Sequence, residues 1–373
     1  MGTALVTANV DGLKAIGYEP HPFFADIARA KTGTRDLSLV DSVQSVLSGV
    51  RPVPDISSVW GPKALAFLAQ LVDEQSLAFL AGARVAEDSC PDNAKKLYRL
   101  VVSRMLEGAT GAKTDGIYKA PATPKRSVDI QQTLAKVLDE IRSDLASVTG
   151  SQGRSPTSQR PLGESQLYAH TAEAMHETAD ESVDICVTSP PYLNNFDFAE
   201  MARMELYFWN YAGSWAEITD SVRSRLIINT TTAPAADRRR QDHWAAKVPG
   251  EIRPKLLDVR ESLAAQRRAG ARKKEYDTLV LPYFAQMNTV MREVCRVLKP
   301  GAPLHLVVSD AALYGVHIRT EQLLAQLMIL NGLNVKDVIR LRHRGGRWVL
   351  EKRQGAADGL GEFHVVAVKG GEG

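Results

Sequence analysis

Two apolar rhythms alternate along the chain. Short β-branched runs stopped by Pro, Gly or Asp read as buried strands, and longer stretches with apolar residues every three or four positions read as amphipathic helices. Residues Ala4–Val10 have helical character and stop at Asp11-Gly12. Lys14–Tyr18 reads as a strand that ends in Glu19, and Pro20-His21-Pro22 breaks it. Phe23–Lys31 is then a helix with Pro22 in its first turn. The order is that of a βαβ unit entered after its first strand. Residues 35–150 read as mostly helical, over Ala64–Ala83, Ala94–Glu107 and Gln131–Val148. In the last of these Leu134, Val137, Leu138, Ile141 and Leu145 form one stripe, the pattern of ordinary core packing. Thr149–Gly163, rich in Gly, Ser, Pro and Arg, reads as a linker.

Downstream, Gln166–Ala169 reads as a strand, Ala172–Thr178 as a helix and Val183–Thr188 as a strand. Ala199–Tyr211 reads as one helix, and Tyr283–Leu298 as another, closed by Lys299-Pro300-Gly301. Pro303–Val308 is a strand and Thr320–Leu330 a helix ended by Asn331-Gly332. Val335–Leu341 and Phe363–Val368 read as a closing strand pair, joined by a basic, Gly-rich loop containing Gly345-Gly346-Arg347-Trp348. This alternation predicts an α/β fold: a doubly wound parallel sheet with an antiparallel C-terminal edge, lacking its first strand and carrying a mostly helical insertion. The expected organisation is a βαβ remnant over 1–34, a helical insertion and linker over 35–163, and a main region over 164–373 with a basic insertion at 215–278.

Composition narrows the classes. Hydrophobic residues make up 44% and charged residues 24% of 373, the balance of a water-soluble globular chain expected in the cytoplasm. No apolar run is long enough to cross a bilayer, and no signal peptide opens the sequence. Net charge is only +3, so the placement of charge matters more than its sum. Cys90, Cys186 and Cys295 stand far apart without a Cys-x-x-Cys pair, which predicts free thiols and no metal site.

The candidate chemistry sits at Thr188-Ser189-Pro190-Pro191-Tyr192. An apolar strand ends there in two prolines, whose fixed φ makes a stiff turn at the carboxyl end of a strand, the edge where α/β sheets bind ligands. In this strand context the run resembles motif IV of the amino-methylating DNA methyltransferases. Leu193–Phe198, Glu205-Leu206 and Arg296–Gly301 are similar to the same family. The resemblance covers roughly residues 1–30, 165–232 and 280–370. It implies a class I methyltransferase fold, S-adenosylmethionine as cofactor and DNA as partner. It implies that Ser189 and the Pro190 carbonyl hold an exocyclic amine, that Pro191 stiffens the turn and that Tyr192 stacks on a flipped base. Ser in the motif leans to cytosine N4 over adenine N6.

On the cofactor side, Gly2-Thr3 matches the end of the family's glycine loop, and Glu19, 17 positions after Gly2, matches the acid that accepts from ribose hydroxyls. Thr188 borders the same expected pocket. The family's first strand, most of its glycine loop and its motif X are absent. A trimmed start, a split enzyme whose companion polypeptide supplies the missing part, and a decayed fragment are the three explanations. Thr171 stands where the family usually has an acid, and His170 reads as a loop histidine. Arg238-Arg239-Arg240, Arg267-Arg268 and Lys273-Lys274 are the expected DNA contacts, with a solvated charged helix as the alternative. The resulting expectation is a site-specific DNA methyltransferase in restriction–modification or phage defence. Its rival is a non-catalytic DNA-binding or assembly subunit with a degenerate fold.

Overall fold

The computed structural model describes residues 1–115, 118–124, 127–149, 162–193, 196–344 and 359–371. The Gly345–Trp348 loop, Asn194-Asn195 and most of the 149–163 linker lie outside the described residues. The chain forms two interleaved compact units. Unit 1 is Met1–His170 with Phe198–Val222, and unit 2 is Thr171–Asp197 with Arg223–Gly373, boundaries that differ from the expected 34/35 and 163/164 divisions.

Unit 1 contains α1 (Thr3–Val10), β1 (Ala15–Tyr18), α2 (Pro22–Gly33), α3 (Leu37–Ser48), α4 (Pro62–Leu68), α5 (Glu74–Ala86), α6 (Lys95–Ala109), β2 (Ala112–Asp115), β3 (Tyr118–Pro124), α7 (Ile130–Thr149) and β4 (Ser165–Tyr168). The second segment adds α8 (Phe198–Met201), α9 (Arg203–Phe208) and α10 (Trp215–Ser221). The start of α2 is fixed locally: His21 caps it, its Nδ1 accepting from the Phe24 N–H at 3.3 Å, with Pro22 in the first turn. Between α4 and α5 the apolar pattern runs on, but the Asp73 carboxylate accepts from the Ser76 N–H and starts a new helix. The single helix expected over 64–83 is therefore two.

β1 pairs with β4 in parallel, from Ala15↔Ser165 to Tyr18↔Tyr168. β2 and β3 form an antiparallel hairpin inside the region expected to be helical. The core of unit 1 is the apolar face of α6 (Leu97, Tyr98, Val101, Val102, Met105, Leu106). Onto this unit the second segment brings Phe208 and Trp209. The Trp60 Nε1–H donates to the Phe208 carbonyl and the Trp209 Nε1–H to Ser103 Oγ, both at 2.9 Å.

Unit 2 contains β5 (Cys186–Thr188), α11 (Ala235–Arg239), α12 (Gln241–Lys247), α13 (Arg253–Ala269), α14 (Val280–Val297), β6 (Pro303–Ser309), β7 (Ala311–Leu313), β8 (Val316–Ile318), α15 (Thr320–Leu330), β9 (Leu333–Arg344) and β10 (Leu360–Lys369). Its sheet runs β5-β6-β10-β9, with β5 parallel to β6 and the other pairs antiparallel. One face of the sheet buries Leu304, Leu306, Val308, Val365 and Ala367, and α14 buries Tyr283, Phe284, Met287 and Met291.

Three further expectations need correction. The strands do not join in one doubly wound sheet: among the described residues they form separate sheets, and only β1/β4 and β5/β6 are parallel. Ala172–Thr178 is a series of turns rather than a helix. There the Glu173 N–H bonds to Thr171 Oγ1, and the Met175 N–H to the Glu293 carboxylate, so side chains take amides a helix would use. Ala199–Tyr211 divides into α8 and α9.

β5 is shorter than the run Val183–Thr188, preceded only by a single bridge between Val183 and Leu298. Among the described residues it has a strand partner on one side only. Val187 on this edge strand and Ile185 just before it are 57% and 48% exposed. No described helix is long and apolar enough to cross a membrane.

Candidate active site

β5 delivers the chain to Ser189-Pro190-Pro191-Tyr192 in unit 2, and the turn's carbonyls meet different fates. The buried Tyr283 hydroxyl, on α14, donates to the Pro191 carbonyl at 2.9 Å. Asn229 Nδ2 donates to the Tyr192 carbonyl at 3.3 Å. The Pro190 carbonyl accepts no hydrogen bond among the described residues. Burial holds the Tyr283 phenol far above its ordinary pKa, so it stays protonated and a donor.

The side chains form a relay. The Ser189 hydroxyl donates to the Tyr192 oxygen across a long 3.4 Å, and the Tyr192 hydroxyl donates to Glu362 Oε1 at 2.9 Å. Glu362, on β10, also receives Arg342 Nε at 2.6 Å from β9. A half-buried aromatic ring is thus tethered by its phenol, while the exposed Ser189 oxygen keeps its lone pairs available as an acceptor. Thr188 ends β5 opposite Leu306. Sequence reasoning named Ser189, Pro190, Pro191 and Tyr192, and the structure places Tyr283, Asn229, Glu362 and Arg342 around them. Tyr283 offered only a place in an apolar helix stripe, and the other three sit far from the motif in sequence.

The residues expected to hold the cofactor's ribose end lie in unit 1. Gly2 caps α1 with φ +68°, and a Cβ there would meet the Ala28 Cβ at 3.0 Å, so glycine is required twice over. Thr3 is the first residue of α1. Glu19 follows β1, and its Oε1 accepts the His21 N–H at 2.9 Å. Its Oε2 accepts no hydrogen bond among the described residues. Burial raises the Glu19 pKa, partly offset by the His21 amide. A half-buried carboxylate with one oxygen committed and one open fits a hydroxyl donor. His21 is buried and burial lowers its pKa to about 3, so it is neutral, with its Nδ1 lone pair spent on the α2 cap. His170 packs beside Tyr18 and Tyr168, as a loop histidine.

The basic segments separate. Arg238 is buried and donates to Glu275, Thr278 and the Ala233 carbonyl, so it holds unit 2 together. Arg239 pairs with Glu275, Arg267 with Asp277 and Arg268 with Glu261. Arg240, Lys273 and Lys274 are exposed. The expected run of seven cations hides the acids that hold four of them. Among the described residues no group of three His, Cys, Asp or Glu is placed to hold a metal.

Among known proteins, no family model matches the chain. Over 181 residues it is 25% identical to the type II methyltransferases M.AvaI of Nostoc sp. and of Anabaena variabilis. The chain is similar to type II methyltransferases. The match takes in 46% of this chain and 35% of theirs, so the chain spans about a third of the length of the curated relatives it matches. Among solved structures, a SAM-dependent methyltransferase of Methanosarcina mazei aligns with 62% of the chain and 79% of its own at 15% identity and a TM-score of 0.24. A protein described as a DNA modification methylase, from Thermus thermophilus, aligns with 31% of this chain and 51% of its own at 20% identity and a TM-score of 0.19.

Proposed function

We propose that this chain transfers the methyl group of S-adenosylmethionine to an exocyclic amino nitrogen of DNA, cytosine N4 in preference to adenine N6, within a restriction–modification or phage-defence system. One observation carries the reading: in the Ser189–Tyr192 turn two carbonyls are clamped and the Pro190 carbonyl is left open. An exocyclic amine is a poor nucleophile because its lone pair is delocalised into the ring. Acceptors placed at its hydrogens favour a pyramidal nitrogen with the lone pair available. Ser189 Oγ and the Pro190 oxygen are those acceptors. The two prolines and the Tyr283 and Asn229 clamps pre-orient them, so little reorganisation is needed at the moment of reaction. Tyr192, tethered through Glu362, supplies a ring face for a base swung out of the duplex.

Within unit 1, Glu19 would hold ribose hydroxyls, with Gly2 and Thr3 at the adjacent helix start. The cofactor supplies an electrophilic methyl group. No general base is required of the chain, which accords with a neutral, capping His21 and a loop His170. Arg240, Lys273 and Lys274 are the cations proposed to meet DNA phosphates.

The open edge of β5, with Ile185 and Val187 exposed, favours a companion polypeptide that contributes an apolar strand there. The same edge motivates the second reading, an assembly subunit without catalysis. The deciding experiment incubates folded chain with tritiated-methyl cofactor and unmethylated DNA, then digests the DNA to nucleosides. Label in N4-methylcytosine is expected. Label in N6-methyladenine corrects the base. DNA that stays unlabelled, while calorimetry finds no cofactor binding, sinks the catalytic reading in favour of the assembly subunit.

A further inference from the structure

Unit 1 has a cavity of about 490 Å³ walled by both cations and aromatic rings. That size lies within the roughly 300–1,000 Å³ of small-molecule sites. The Arg203 guanidinium lies 3.9 Å from the Phe67 ring centroid, 4.9 Å from that of Trp215 and 5.2 Å from that of Tyr207. Rings on several sides fix the guanidinium plane, yet Arg203 has no carboxylate partner among the described residues. Its Nε is buried without a hydrogen-bond partner. Lys63 lines the cavity from α4 and is exposed. Lys119 lines it too, but pairs with Glu107 at 2.6 Å. Glu217, on the same helix as Trp215, is held by the Gly213 N–H at 2.8 Å and Ser214 Oγ at 2.9 Å, and the Lys63 charge acts on it only weakly. The charge left for a ligand is therefore that of Arg203, with Lys63 beside it, next to a Trp215 ring that is 38% exposed.

We infer that this cavity binds one nucleotide of a nucleic-acid strand, with the base stacked on Trp215 and the phosphate held by Arg203 and Lys63. An oriented guanidinium with unspent donors suits a phosphate. A solvent-facing indole suits any base, because stacking does not depend on its identity. The site shares no residue with the Ser189–Tyr192 turn, and it takes only its ligand class, nucleic acid, from the proposed function. It would give the chain a grip on single-stranded or extruded nucleotides in addition to base capture at the turn.

The test is a tryptophan-fluorescence titration of the full chain, without cofactor, using a single-stranded pentadeoxynucleotide. Its abasic counterpart and an acidic, tyrosine-containing pentapeptide serve as comparison probes. Saturable quenching by the oligonucleotide is expected, lost in Trp215→Phe. The abasic strand should bind about tenfold more weakly, from loss of stacking. Arg203→Gln should weaken binding at least tenfold. Lys63→Glu, at an exposed position where folding is not at stake, should weaken it several-fold. Quenching that persists in Trp215→Phe, binding unchanged in Lys63→Glu, or a peptide that binds as tightly as the oligonucleotide overturns the inference. Methyl transfer measured on the same samples is scored separately. A chain that binds the strand here but transfers nothing refutes the proposed reaction and leaves this site standing.

Discussion

At the scale of single residues, the turn combines restrained groups with one left open. Tyr283 and Asn229 hold two of its carbonyls, Glu362 holds the Tyr192 phenol, and the Pro190 carbonyl remains to receive a donor. Removing the ring and removing its tether should therefore differ. Tyr192→Ala is expected to lower methyl transfer by about 5–150-fold, the worth of one base stack. Tyr192→Phe keeps the ring and should lose only a few-fold, a comparison that steady-state transfer kinetics makes directly. Tyr283→Phe leaves the half-buried Pro191 without the donor to its carbonyl. It should cost on the order of 1–3 kcal/mol of stability, seen in denaturant melts, together with a fall in kcat. Ser189, Pro190, Pro191 and Tyr192 were legible because proline fixes φ whatever surrounds it. Their supports were not legible, since Glu362 stands 170 positions from Tyr192 and no local pattern names such a partner. Arg238 misled for the same reason: a run of three arginines does not display the Glu275 that one of them is buried against.

At the scale of elements, α9 carries a titration of its own. Burial pushes the Glu205 carboxyl up to about 7, with Glu107 adding repulsion and Lys119 offsetting part of it. The folded chain thus holds this proton more tightly than the unfolded one. The stabilisation is complete below the ordinary carboxylate range and is lost as pH rises towards about 7. Glu205→Gln removes that dependence. Thermal melts of wild type and variant should agree near pH 4, and the variant should melt higher at pH 8. Asp26, on α2, runs in the opposite sense. Its burial disfavours the charge, but hydrogen bonds from Lys96 and Tyr211 and the charges of Lys96 and Arg99 hold its pKa below the usual value. Its contribution should fade in acid, and Asp26→Asn should flatten the acid limb of the same melts. Most elements follow from the apolar rhythm. The exceptions have local causes: a cap at Asp73 that cuts one expected helix in two, and side-chain bonds around Thr171–Met175 that replace another.

At the scale of the whole chain, interleaving matters most. Residues 198–222 complete unit 1 although unit 2 precedes and follows them. They bury Met204, Leu206, Tyr207, Phe208 and Trp209, and they fill hydrogen bonds of Trp60 and Ser103. A fragment ending at residue 170 should therefore lack native near-ultraviolet circular dichroism and refold only when 198–222 is restored. Sequence reading could not see this, because a contact between residues 60 and 208 leaves no mark on either stretch. The bare edge of β5 has a different consequence. If a companion polypeptide adds a strand beside Val187 and the preceding Ile185, as proposed, the complex obeys mass action. Its specific activity would then fall on dilution instead of staying constant, with a midpoint that reads out the dissociation constant of the borrowed strand. Without such a partner the same edge would drive copies of the chain together as concentration rises, so one dilution series, followed by light scattering and by methyl transfer, registers both behaviours.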